Sequence, residues 1–152
     1  MRRILVLLVC AVLLCCGQAD AAPAQKPVQN QDIPVIKTAK QYIGVKYVFG
    51  GATPKGFDCS GYVQYVFARH DKKLPRTADV QFTTGRSVGR ISDLKPGDLV
   101  FFATGKTKDI THVGIYLGKD EFINAQTSKG VAVAKLNDAY WRPKYAGARR
   151  VL

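Results

Sequence analysis

The chain has 152 residues, 23 Lys+Arg against 11 Asp+Glu, a formal charge of +12 and four cysteines. That length holds one domain with a sizeable core, not two plus a linker, and 47% hydrophobic residues with 10% aromatics exclude a disordered or collagen-like chain. The charge calls for an anionic partner: nucleic acid, a membrane surface or a cell-wall polymer.

Arg2 and Arg3 precede an uninterrupted apolar run from Ile4 to Cys16, and small residues follow through Ala22. A basic start, a short apolar core and a small-residue end are the parts of a secretory signal peptide. The run of 13 residues is short of the roughly 20 that a spanning helix needs. Ala19-Asp20-Ala21 fits a small-x-small cleavage pattern, so residues 1–21 read as the signal and Ala22 as the mature N-terminus. A competing cut would leave Cys16 lipidated, by similarity to bacterial lipoprotein signals, although Cys15 fits poorly before such a cut. The protein is therefore expected outside the cytoplasm, in the periplasm or cell envelope. Its only expected tie to the membrane is a lipid on Cys16.

Cleavage after Ala21 removes Arg2, Arg3 and Asp20, taking the charge from +12 to +11. It also removes Cys10, Cys15 and Cys16, and lipidation would occupy Cys16, so on either reading Cys59 has no partner for an internal disulfide. A lone thiol in an oxidising setting is liable to be oxidised or mispaired. It is either a buried, inert residue or one with a chemical task.

Residues 22–32 are rich in Ala, Pro, Gln and Asn and read as a flexible lead to a domain at 33–152. Val35, Ile36, Ala39, Tyr42 and Ile43 recur at helical spacing, with Gly44 as the stop. Tyr47-Val48-Phe49-Gly50-Gly51 is a short extended piece ending in a glycine turn, and Thr53–Gly56 a loop. After Asp58-Cys59-Ser60-Gly61, the run Tyr62–Ala68 predicts a buried helix. Leu94–Asp98 is a turn feeding the apolar strand Leu99–Phe102. In His112–Leu117 residues alternate, with Val113, Ile115 and Leu117 on one face and His112, Gly114 and Tyr116 on the other. Phe122–Ala125, Gly130–Ala134 and Tyr145–Leu152 predict further strands. Helices first and antiparallel strands later make the class α+β.

Cys59 stands where a loop becomes a helix, with Asp58 a natural N-cap. Unpaired N–H groups and the positive end of the helix dipole favour a thiolate there. The same N–H groups suit an oxyanion formed when sulfur attacks a carbonyl. Such a nucleophile needs a base, and the chain offers only His70 and His112. His70 lies in a charged helix end, where an exposed imidazole is ordinary. His112 lies on a strand beside Gly114, which admits a close neighbour, and its face is expected to abut the Cys59 helix. Asn124, across a Gly118–Glu121 turn, suits an adjacent strand from which to orient the imidazole. Gln126 shares its face and is the alternative. Together these give a Cys-His-Asn order similar in logic to papain-like enzymes.

Five blocks carry a resemblance: Tyr47-x-Phe49-Gly50-Gly51, Phe57–Val63, Leu74-Pro75-Arg76-Thr77, Leu94–Phe102 and His112–Gly118. In this order and spacing the sequence resembles the NlpC family of bacterial cell-wall cysteine peptidases from residue 35 to the C-terminus. The resemblance implies a papain-like α+β fold in which a nucleophile at a helix N-terminus faces an antiparallel sheet. It implies hydrolysis of peptide bonds in peptidoglycan stems or cross-links, involving D-glutamate, D-alanine or diaminopimelate. Residue by residue, Cys59 matches the nucleophile, His112 the base, Asn124 the third polar position and Tyr47 the tyrosine beside the oxyanion site. Asp58, Ser60 and Arg76 match recurrent groove positions. Many members carry His where this chain has Asn124, which fixes a tautomer but takes up no charge.

No Cys/His/carboxylate cluster has ligand spacing, so neither metal nor other cofactor is expected. The basic residues are scattered without a nucleic-acid motif, leaving a peptidoglycan peptide as the expected partner of a monomer. Amide cleavage or acyl transfer on another envelope substrate, and non-catalytic wall binding, are the competing readings.

Overall fold

The computed structural model describes residues 33–152. The signal and lead read at residues 1–32 lie outside the described residues.

Helix α1 (Pro34–Lys40) starts on a proline, whose missing N–H costs nothing in a first turn. It buries Val35, Ile36 and Ala39. The expected helix is one turn too long, because the Gly44 N–H donates to the Val131 carbonyl and the Val131 N–H to the Val45 carbonyl, each at 2.8 Å. That pairing pulls the backbone off the helix and leaves Ile43 exposed. The extended piece at Tyr47 bridges Phe57. The stretch read as loop is partly a hairpin of β1 (Ala52–Thr53) and β2 (Gly56–Phe57).

Helix α2 (Cys59–Ala68) follows at once, with Tyr62, Val63, Val66 and Phe67 fully buried. Two short elements had no sequence signal, the four-residue α3 (Ala78–Gln81) and the three-residue β3 (Arg86–Val88). Neither is long enough to show a period. The strands β4 (Leu99–Phe102), β5 (His112–Gly118), β6 (Glu121–Gln126), β7 (Gly130–Lys135) and β8 (Tyr145–Arg150) match the expected runs. They pair antiparallel with β3 in the order β3-β8-β4-β5-β6-β7, so the last strand inserts between two earlier ones.

Alternation along these strands divides the core in two. Leu99, Phe101, Val113, Ile115, Leu117, Ile123 and Ala125 face α1 and α2. On the reverse face Val100, Phe102, Tyr116, Phe122 and Trp141 form a second cluster. The expectation that the His112 face abuts the Cys59 helix is thereby corrected: α2 needs a continuous aliphatic surface, and Val113, Ile115 and Leu117 supply it. A buried ion pair locks β8 to the turn before β4. Asp98 accepts two hydrogen bonds of 2.6 Å from Arg150 and one of 2.7 Å from the Lys95 N–H.

Candidate active site

Cys59 is the first residue of α2 and 8% exposed. Its helix begins there because the Asp58 carboxylate accepts the Gly61 N–H at 2.7 Å, the N-cap bond expected from the sequence. Gly61 has no substitute: a Cβ would collide with the Gly51 carbonyl oxygen and stand 2.9 Å from Asp58 Oδ1. The Cys59 Sγ lies 3.9 Å from the Thr111 carbonyl oxygen. Burial pushes the thiol above its usual range, while the N–H groups of Val113, Ser60 and Cys59 itself favour the thiolate.

His112 opens β5 on the opposite face of the sheet, yet it and Cys59 line one cavity of about 630 Å³ with Tyr47, Thr111 and Gln126. Cys59 reaches that cavity beside Thr111, the residue just before the strand. The His112 Nε2 stands 3.0 Å from Asn124 Oδ1, and Asn124 Nδ2 donates to the Ala132 carbonyl at 3.4 Å. With Asn124 offering an acceptor, Nε2 carries the proton of the neutral ring and Nδ1 holds the free lone pair. Burial lowers the imidazole below its usual range, and the Asn124 bond opposes that shift. Burial thus favours a neutral thiol and a neutral imidazole at rest, rather than the ion pair a helix N-terminus suggests. No hydrogen bond joins the Sγ to the ring among the described residues; such contacts commonly tighten only when substrate is bound.

Gly114 makes the His112–Asn124 contact sterically possible. A Cβ there would lie 2.7 Å from Phe122 Cδ2, 2.9 Å from the Ile123 carbonyl oxygen and 3.1 Å from Asn124 Cβ. Gly114→Ala is expected to spread β5 from β6, costing about 1–3 kcal/mol of stability, and to lower kcat by roughly tenfold or more by withdrawing Asn124. Urea unfolding and steady-state kinetics check both. Gln126, the alternative orienting residue, lines the cavity instead.

Tyr47 also lines the cavity, and its phenol is pushed up by burial and by the nearby Cys59 and Asp58, so it stays a neutral O–H donor. Arg76 grips Asp58 bidentately through both guanidinium nitrogens, and Nη1 also donates to Ser60 Oγ at 3.1 Å. Burial alone would raise the Asp58 carboxyl, but the bonds from Arg76 and Gly61 hold it below the usual carboxylate range. Asp58 is therefore both a cap and the anionic centre of a cluster with Ser60 and Arg76, none of which lines the cavity itself. His70, by contrast, bonds Thr38 Oγ1 at 2.8 Å and ties α2 to α1.

Trp141 had no sequence signal, since it stands alone in an irregular stretch. Its ring centroid lies 5.0 Å from that of His112 with planes 32° apart, closing the imidazole's second-core side. Among the described residues no cluster of three or more His, Cys, Asp or Glu side chains is arranged to hold a metal ion.

Residues 44–150 match the model of the NlpC/P60 family. The chain belongs to the NlpC/P60 family. It is 47% identical over 121 residues to the gamma-DL-glutamyl hydrolase of Bacillus subtilis, using 78% of this chain and 29% of that protein. It is 42% identical over 138 residues to murein DD-endopeptidase MepS/murein LD-carboxypeptidase of Escherichia coli K12, covering 89% and 72%. A crystal structure of an NlpC/P60 family protein from Bacillus cereus superposes with a TM-score of 0.73 at 34% identity, over 78% of this chain and 39% of that one. The resemblance and the papain-like α+β fold expected from the motifs are both borne out. So is the assignment to a cysteine peptidase family. The chain spans less than a third of the Bacillus subtilis relative's length.

Proposed function

We propose that this NlpC/P60 protein is an exported cysteine endopeptidase that cleaves peptide bonds in peptidoglycan stems or cross-links, of the D-glutamate–diaminopimelate or D-alanine–diaminopimelate type. One observation carries the reading. The lone thiol of the domain opens, at a helix N-terminus, into the cavity lined by an imidazole whose far nitrogen is held by Asn124. A structural cysteine needs neither feature.

In this mechanism the substrate carbonyl enters between Cys59 and Tyr47. His112 Nδ1 takes the thiol proton as Sγ bonds to the carbonyl carbon, and the carbonyl π pair becomes an oxyanion. The Cys59 backbone N–H and the Tyr47 hydroxyl donate to that oxyanion. On collapse the C–N bond breaks, His112 returns its proton to the departing amine, and a thioester remains. Water then attacks the thioester with His112 again as base, releasing the acid and restoring the thiol. Asn124 holds the tautomer throughout.

The leader at residues 1–21 supports export, and the net charge of +11 that its removal leaves suits an anionic envelope. Mass spectrometry of products from defined muropeptides tests the substrate assignment. Free stem fragments with a new amine on diaminopimelate are expected. Intact muropeptides, together with hydrolysis of a lipid ester or a non-wall amide, would refute it.

A further inference from the structure

Arg76 sits in a loop, Leu74–Thr77, with no secondary structure of its own to aim a long side chain. Yet it meets Asp58 and Ser60 with bidentate geometry. The loop is held by two glutamine amides on consecutive carbonyls. Gln64, on α2, donates Nε2 to the Leu74 carbonyl at 2.9 Å. Gln81, the last residue of α3 and wholly buried, donates Nε2 to the Pro75 carbonyl at 2.8 Å and to the Ser60 carbonyl at 3.1 Å.

The chemistry of Gln81 is specific. An amide NH₂ has two donors in one plane, and both are used on carbonyls from different elements. A carboxylate would face those carbonyls with lone pairs, and an apolar chain would leave both without their donor. The Gln81 Oε1 is buried without a partner. The side chain is held by its two Nε2 bonds.

The position of the two bonds matters as much as their chemistry. They fix the two residues immediately before Arg76, one of them a proline whose φ is already locked. The Gln81 bond to Ser60 ties the same point to the first turn of α2, one residue past the Cys59 nucleophile. Arg76, Ser60 and the start of the nucleophile helix therefore form one braced unit, and the Arg76 side chain stays 37% exposed.

We infer that Gln64 and Gln81 form a clamp that positions Arg76, and through it the Asp58–Ser60–Arg76 cluster, for binding of the substrate peptide next to Cys59. This rests on the endopeptidase reading above and on Arg76 touching substrate. Both glutamines are positioning residues that act through Arg76.

The test uses full-length Gln81→Met and Gln64→Met, which keep side-chain length and lose the amide, with steady-state kinetics on a defined muropeptide. Each is expected to raise KM about tenfold, the effect of losing one or two buried hydrogen bonds, with kcat changed less than about threefold. In an Arg76→Ala background the same substitutions are expected to leave KM where Arg76→Ala alone sets it, because coupled residues are not additive. Should Gln81→Met fail to fold, the half-buried Gln64 carries the same test. A lowered unfolding midpoint with wild-type KM, or KM effects that persist without Arg76, would overturn the clamp. An Arg76→Ala enzyme with wild-type KM would overturn both Arg76 as a substrate contact and the clamp. Inactivity of the wild type on every muropeptide would overturn the endopeptidase reading itself.

Discussion

Replacing Cys59 by alanine is expected to lower kcat on muropeptides by at least about 10⁴-fold, with the fold retained. The loss is large because no other side chain replaces the sulfur: Cys59 is the sole cysteine of the described domain. Its burial and the N–H groups of Val113 and Ser60 act on that atom alone. Stability changes little, since only one heavy atom leaves a core cluster and the cost is roughly 1 kcal/mol. Cys59→Ser is expected to be almost as inactive, a hydroxyl being a far weaker acid than a thiol. Liquid chromatography with mass detection of peptides released from purified sacculi gives the readout, with circular dichroism to show that the variants fold. Release by Cys59→Ala within about tenfold of wild type would remove Cys59 from the mechanism. A wild-type protein that binds sacculi but releases nothing, and whose thiol resists alkylation, would instead identify a wall-binding protein.

The second large effect is on stability, far from the chemistry. Asp98→Ala is expected to lower the free energy of unfolding by about 3–5 kcal/mol. The Asp98 side chain is 2% exposed and that of Arg150 14%, so water does little to screen the charge left behind. Removing the carboxylate takes two 2.6 Å bonds from the guanidinium, leaving it only the Asp93 carbonyl at 3.0 Å, and frees the Lys95 N–H as well. Against a typical total of about 5–15 kcal/mol, that loss should leave much of the protein unfolded on modest warming. A urea midpoint shift gives the size of the effect. The double variant Asp98→Leu/Arg150→Met should recover most of it, because the penalty is an unpaired buried charge, not a missing attraction. A midpoint for Asp98→Ala indistinguishable from wild type would refute the argument.

What was legible in the sequence had short-range causes. The cap at Asp58 and the start of α2 follow from one side chain and the next three residues. The face of β5 that packs on α2 follows from period-two alternation in Val113, Ile115 and Leu117. The positive-φ turn at Gly118, Lys119 and Asp120 was signalled by turn-forming residues, and it brings β6 back beside β5 so that Asn124 reaches His112. Composition and order therefore determined the fold class, the lone thiol and the residues worth examining.

Tertiary structure decided the rest. Alternation showed that His112 lies opposite the aliphatic face, but not that Cys59 would line the same cavity. It left Gln126 as an alternative to Asn124; the 3.0 Å contact between Asn124 Oδ1 and His112 Nε2 favours Asn124. Burial was equally invisible, and it pushes the Cys59 thiol up and the His112 imidazole down, against the thiolate that a helix N-terminus favours. Trp141 against His112, and Gln81 bonded to the Ser60 carbonyl, join residues 29 and 21 positions apart through contacts that no local pattern encodes. The sequence determined which side chains this protein could use for chemistry. Only the packed structure decided their geometry and protonation, because both depend on what each side chain excludes from water.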